Sequence, residues 1–103
     1  MRYKLEKYRG KEKHRFTGQM VKYGSYINKS TGENHNTILF VDIKNEEGEI
    51  LTDHVWVKED SYTKNVKLEK GKIYSFEAGV GMYKRGRTSK DYQLKKLRQI
   101  QVA

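Results

Sequence analysis

The 103 residues contain no cysteine and no proline. Without thiols the chain has neither a disulfide framework nor a thiolate metal site. His14, His35 and His54 lie far apart in sequence, so no metal centre and no cofactor are expected. The lack of low-complexity tracts and internal repeats excludes Pro-rich linkers and repeat arrays. No apolar run reaches membrane-spanning length, and the first residues lack the apolar segment of a signal peptide. The expectation is a cytoplasmic chain with no membrane partner, in which Asn28-Lys29-Ser30 matches a glycosylation acceptor by chance. Catalytic signatures are missing too. Gly79-x-Gly81 is followed by Lys84 where a dinucleotide fingerprint needs glycine, and no phosphate-loop pattern or nucleophile–base pair occurs. Glu46, Glu47 and Glu49 read as a solvated acidic tip rather than a catalytic pair. The chain is expected not to be an enzyme.

Acidic residues are also scarce, 13 against 22 Lys and Arg, for a net charge of +9. The deficit is uneven. Met1–His14 holds six bases and two acids, Asn45–Asp60 one base and six acids, and Ser61–Ala103 eleven bases and three acids. One acidic hairpin therefore sits in a basic molecule, which implies a basic face and an opposite acidic end. The densest basic stretch is Met82–Arg98, where Tyr83 and Tyr92 flank Lys84, Arg85, Arg87 and Lys90 around Gly86. Cations neutralise phosphates and flat rings stack on unpaired bases, so this interleaving suits a nucleic-acid surface. Aromatics make up 12% of the chain, more than disordered sequences carry.

The length fits one domain. Residues 1–14 read as a basic arm that could add an edge strand through Tyr3 and Leu5, and residues 15–103 as the folded domain. A period-2 pattern begins at Arg15, with Gly18 marking a bend or a close backbone approach. Gly24–Asn36 is a polar connection, Thr37–Lys44 a strand, Asn45–Glu49 a hairpin loop and Ile50–Lys58 the returning strand. Glu59–Lys70 has room for one or two helical turns starting near Asp60 or Ser61. After the Gly71-Lys72 turn, Tyr74, Phe76, Ala78, Val80 and Met82 share one face of a fourth strand. Lys84–Asp91 is a basic loop. In Tyr92–Val102 the three-residue spacing of Leu94, Leu97 and Ile100 permits a helix, but a strand with a bulge fits better. Five strands in so short a chain must close on themselves to avoid exposed edges, so an all-β, small five-stranded Greek-key barrel is predicted, with at most a short helix between strands 3 and 4.

This pattern resembles the oligonucleotide-binding (OB) fold. Leu68–Val80 is similar to the fourth strand of such domains, where a Lys-Gly turn precedes an alternating strand, and Tyr92-Gln93-Leu94 with Leu97 and Ile100 is similar to the fifth. The resemblance covers Arg15 to Val102. It implies a binding surface on the outer face of strands 2 and 3, flanked by the loops that join strands 1 and 2 and strands 4 and 5.

On that surface the inward sets are taken as Leu39, Val41 and Ile43 on strand 2 and Leu51, Val55 and Val57 on strand 3. A five-residue loop pairs Ile43 with Leu51 and makes Phe40, His54 and Trp56 an outward aromatic platform. A four-residue loop would instead turn His54 and Trp56 inward. The first connection adds Tyr23, Tyr26, Lys29 and His35, and the basic loop adds Tyr83, Lys84, Arg85, Arg87, Lys90 and Tyr92. The expected partner is single-stranded nucleic acid, DNA favoured over RNA, bound with little base specificity in replication, recombination or repair, in the style of a phage or mobile element. A homo-oligomer, or a protein partner from replication or recombination, is compatible with this. The alternatives are an RNA-binding OB domain and a protein-interaction adaptor that uses the barrel face or the acidic hairpin.

Overall fold

The computed structural model describes residues 2–85 and 89–103, and the side chains of all of these except residues 84, 85, 89 and 90. Five antiparallel strands, β1 (His14–Ile27), β2 (Asn34–Lys44), β3 (Ile50–Lys58), β4 (Ile73–Arg85) and β5 (Ser89–Val102), form one sheet in the order β3-β2-β1-β4-β5. β1 serves both halves. Its first part pairs with β4, from His14↔Ala78 to Gln19↔Ile73, and from Thr17 to Ile27 it pairs on its other side with β2. A 3₁₀ turn at Thr63–Asn65 joins β3 to β4, where a short helical connection was expected. Asp60 organises it by accepting the backbone N–H groups of Tyr62 and Thr63. No helix among the described residues is long and apolar enough to cross a membrane.

The concave side buries Phe16, Phe40 and Phe76, with Phe76 packing 5.2 Å from Phe40 and 6.5 Å from Phe16. The fourth-strand face is as read: Tyr74, Phe76, Ala78 and Val80 are buried and Met82 packs on them. The fifth segment is a strand, and its three-residue apolar spacing has a backbone cause. Lys96 and Gln99 adopt left-handed φ values of 55° and 52°. Each adds one residue to β5 against β4, moving the pairing from Val80↔Leu94 to Glu77↔Arg98 to Ser75↔Gln101. Leu94, Leu97 and Ile100 thus all face the core while staying in a strand. Gly18 is a close approach, since a methyl group there would lie 2.7 Å from Ile43 Cδ1.

Three sequence readings need correction. The polar connection Gly24–Asn36 is mostly strand: β1 runs to Ile27 and β2 begins at Asn34, with Gly24↔Thr37 and Ile27↔Asn34 paired. Ladder hydrogen bonds there override a turn-rich composition. The basic loop shortens likewise, because β4 continues to Arg85 and β5 resumes at Ser89. Finally, the N-terminal segment adds no edge strand. Tyr3–Tyr8 is a 3₁₀ turn that puts Leu5 wholly in the core, while Tyr8 meets Phe16 edge-on at 5.4 Å.

The edges of β3 and β5 approach each other, and among the described residues no backbone ladder joins them. Arg2 fills the gap. Its Nε donates to the His54 carbonyl of β3 at 3.1 Å and its Nη1 to the Tyr92 carbonyl of β5 at 3.1 Å. The same guanidinium reaches the Tyr83 hydroxyl at 3.1 Å and pairs with Asp91 at 3.4 Å. Asp91 is only 1% exposed. Burial alone would raise its pKa, but hydrogen bonds from the Arg2 and Tyr92 amides and the Arg2 charge outweigh that and hold it below the usual carboxylate value.

Candidate nucleic-acid interface

The outer face of β1, β2 and β3 is organised around Trp56. In β3, Leu51, Val55 and Val57 are buried, so Thr52, His54 and Trp56 point outward as expected, and Trp56 keeps 42% of its surface exposed. The ring does not stand free. It pairs with Leu39 of β2 and reaches across Thr37 to Gly24 of β1, where Cζ3 would lie 2.8 Å and Cη2 3.2 Å from a Cβ at position 24. Gly24 leaves the slot the indole occupies. Above the ring the Lys22 ammonium sits 5.9 Å from its centroid, a cation–π contact that also puts positive charge at the edge of a stacking surface.

Beside Trp56 lies a cleft of about 630 Å³. It is lined by Gly24, Ser25 and Tyr26 of β1, Thr37 of β2, Trp56 and Lys58 of β3, Tyr83 of β4, Gln93 of β5, and Arg2. It runs from the end of β1 to the base of the β4–β5 hairpin, along the β3–β5 seam. Tyr26 is half exposed and leans on His35, with ring centroids 5.2 Å apart. Lys22 and Lys58 are exposed and make no ion pair among the described residues. Three rings and the Lys58 ammonium therefore line one groove, with the Lys22 ammonium held over the Trp56 ring. An adjoining cleft of about 460 Å³ suits an anion less well, because Asp53 and Asp91 offset Arg2 and Lys4 along its lining.

The sequence-predicted residues divide. Tyr26, Trp56 and Tyr83 come together in the larger cleft. His54 is exposed but lines the smaller one, with Nδ1 3.0 Å from Asp53. His35 supports Tyr26 and pairs with Glu33 at 3.6 Å, and Lys29 is exposed in the turn between β1 and β2. Tyr23 turns away, its hydroxyl accepting the Leu68 amide at 3.4 Å. Lys84, Arg85 and Lys90 are strand residues flanking the hairpin tip, their side chains outside the described set, and Arg87 lies outside the described residues altogether.

Phe40 and Tyr92 do not belong to an exposed platform. Phe40 is 0% exposed and Tyr92 5%. The error on β2 is one of phase. Asp42 takes a left-handed φ of 53°, so the inward residues are Ile38, Phe40 and Ile43 instead of Leu39, Val41 and Ile43. The five-residue loop is present, with Lys44↔Ile50 closing it, but a bulge between Ile43 and Lys44 shifts the ladder to Ile43↔Thr52 and Phe40↔Val55. Tyr92 faces the core because it shares the inward face of β5 with Leu94, two residues on.

Sequence reasoning missed Arg2, Lys22, Lys58 and Gln93. Lys58 was legible: it continues the outward set of Thr52, His54 and Trp56 by one period of two. Lys22 follows from Gly24 by the same rule. Arg2 had no local signal, since its role depends on a contact with residues 89 and 90 positions away. Comparison of the chain with family models, curated proteins and solved structures found no match.

Proposed function

We propose that this chain binds single-stranded nucleic acid, DNA in preference to RNA, in the cleft beside Trp56. The observation that carries this is the convergence of Tyr26, Trp56 and Tyr83 on one groove that Lys58 also lines, with Lys22 held over the Trp56 ring. Stacking on such rings stabilises a complex by about 1–3 kcal/mol per base and is indifferent to base identity. The cations neutralise the backbone, so the binding is salt-sensitive and weakly sequence-specific. The arrangement also supports an OB-type reading: strand order β3-β2-β1-β4-β5 with β3 facing β5, and a groove over strands 2 and 3 ending at the hairpin between strands 4 and 5. A role in replication, recombination or repair follows from that ligand.

The test is intrinsic fluorescence. With one tryptophan, quenching on addition of oligo-dT reports on this ring directly. Strong quenching that weakens as salt rises is expected, with a log–log slope of about −0.7 per phosphate neutralised. Absence of binding at low salt would sink the reading in favour of a protein-interaction adaptor. Competition by oligo-U of equal length decides between DNA and RNA.

A further inference from the structure

A second basic cleft, of about 490 Å³, lies on the outer side of the β4–β5 hairpin. Arg9, Lys11 and Lys13 border it on one side and Lys95 and Lys96 on the other, with Gly79 as the floor between them. All five cations are exposed. The fold builds this concentration deliberately from segments remote in sequence. Arg9 bridges Val80 in parallel and the Gly10 amide donates to the Val80 carbonyl at 3.3 Å, so the chain before β1 is laid along the free edge of β4. Lys13 Nζ then donates to the Lys96 carbonyl at 2.6 Å, a carbonyl presented by the left-handed backbone at Lys96. Lys95 lies over Gly81, with Nζ 2.8 Å from where a side chain there would start. Burial, and next the charges of Arg98 and Lys96, depress the Lys13 pKa.

Among the described residues no ring and no carboxylate lines this cleft. It offers charge for phosphates and no aromatic platform for a base. The ligand that fits is a backbone whose bases are already stacked on one another. We propose that the β4–β5 cleft is a second nucleic-acid site, taking the phosphate backbone of duplex DNA. It shares only the ligand class with the function proposed above. With unpaired bases in the ring-lined cleft and a duplex in the ring-free one, the chain straddles a junction between paired and unpaired DNA.

The test compares the full chain with Arg9→Gln/Lys11→Gln/Lys95→Gln. These three side chains make no ion pair among the described residues. Lys13 and Lys96, which tie the segments together, are kept. Binding of a labelled 20-base-pair duplex is followed by anisotropy across a salt series, and binding of dT₆ by Trp56 quenching. The expected result is a duplex salt slope shallower by about 2.7, at about 0.9 for each of three contacts, at least a tenfold weaker duplex affinity, and dT₆ quenching within twofold of wild type. A duplex carrying a dT₆ overhang should bind the wild type more tightly than either part, an advantage the triple variant loses. An unchanged duplex slope in the triple variant would overturn the proposal. So would equal loss of dT₆ binding, which would make the two clefts one path, and so would failure of the wild type to bind duplex at low salt. If dT₆ never quenches while the duplex result holds, the ring-lined cleft fails and the second site stands. Should the triple variant fold poorly, Lys11→Gln alone, on an exposed residue, should remove about 0.9 from the slope; an unchanged slope there counts against the proposal equally.

Discussion

Gly24→Ala puts one methyl group where the Trp56 indole now rests. The new carbon would lie 2.8 Å from Cζ3, 3.2 Å from Cη2 and 3.1 Å from Thr37 Oγ1. Carbon atoms settle at about 3.5–4.0 Å, so the ring must lift by several tenths of an ångström or rotate away. Thr37 is buried in β2 and cannot yield as easily as a half-exposed indole. The indole therefore moves. Its loss from the slot forfeits the stacking of one base, about 1–3 kcal/mol, or roughly 5- to 150-fold in affinity for oligo-dT. Stability should barely change. Strain at the slot opposes a gain of about 0.4–1 kcal/mol from restricting the unfolded chain at a former glycine. Two assays on one sample decide the matter: the Trp56 emission maximum with oligo-dT titration, and urea unfolding. A red-shifted indole with weakened binding and a urea midpoint near wild type is expected. Unchanged emission together with wild-type affinity would refute the argument that this glycine seats the ring.

Three further outcomes follow from the same geometry. Phe40→Ala should cost about 3–5 kcal/mol in urea unfolding, because Phe40 is a core ring packed on Phe76; a surface platform residue would cost a fraction of that. Lys58→Gln should leave stability unchanged and make the oligo-dT salt slope shallower by about 0.7, and an unaltered slope would remove Lys58 from the groove. Arg2→Ala removes one charge partner of buried Asp91 together with the hydrogen bonds to the His54 and Tyr92 carbonyls, and should cost about 2–3 kcal/mol. The acid side follows by linkage. Asp91 has a folded pKa below its unfolded value of about 3.9, so its contribution is complete above that value and disappears as pH falls through the folded pKa. Urea midpoints measured from pH 6 to pH 2 should show a shallower acid loss in Arg2→Ala than in the wild type.

Much of the fold could be read from alternation alone. The inward faces of β3 and β4 follow the period of two, broken only at Asp53, so Leu51, Val55, Val57, Phe76 and Val80 are read correctly, while Trp56, left open between the two faces by the choice of loop length, lies on the outer one. Reading failed where the backbone leaves that period. A left-handed Asp42 reverses the phase of β2 and exchanges Phe40 for Leu39 and Val41. The same device at Lys96 and Gln99 makes β5 look helical. Neither Asp, Lys nor Gln announces such a conformation as glycine would, because each is held there by its neighbours across the sheet. The N-terminal segment was opaque for another reason. Leu5 and Arg2 are an ordinary apolar residue and an ordinary cation until strands far along the chain arrive beside them.

The Arg2 bridge has a further consequence. A ladder would spread closure over many amides; among the described residues no such ladder joins the facing edges of β3 and β5, and one guanidinium spans them through the His54 and Tyr92 carbonyls. Once that bridge opens, the rim offers a docking template to any extended segment, including the same strand of a neighbouring molecule. Loss of Arg2 would then be felt not only as a softer monomer but also as a tendency to associate, growing with protein concentration.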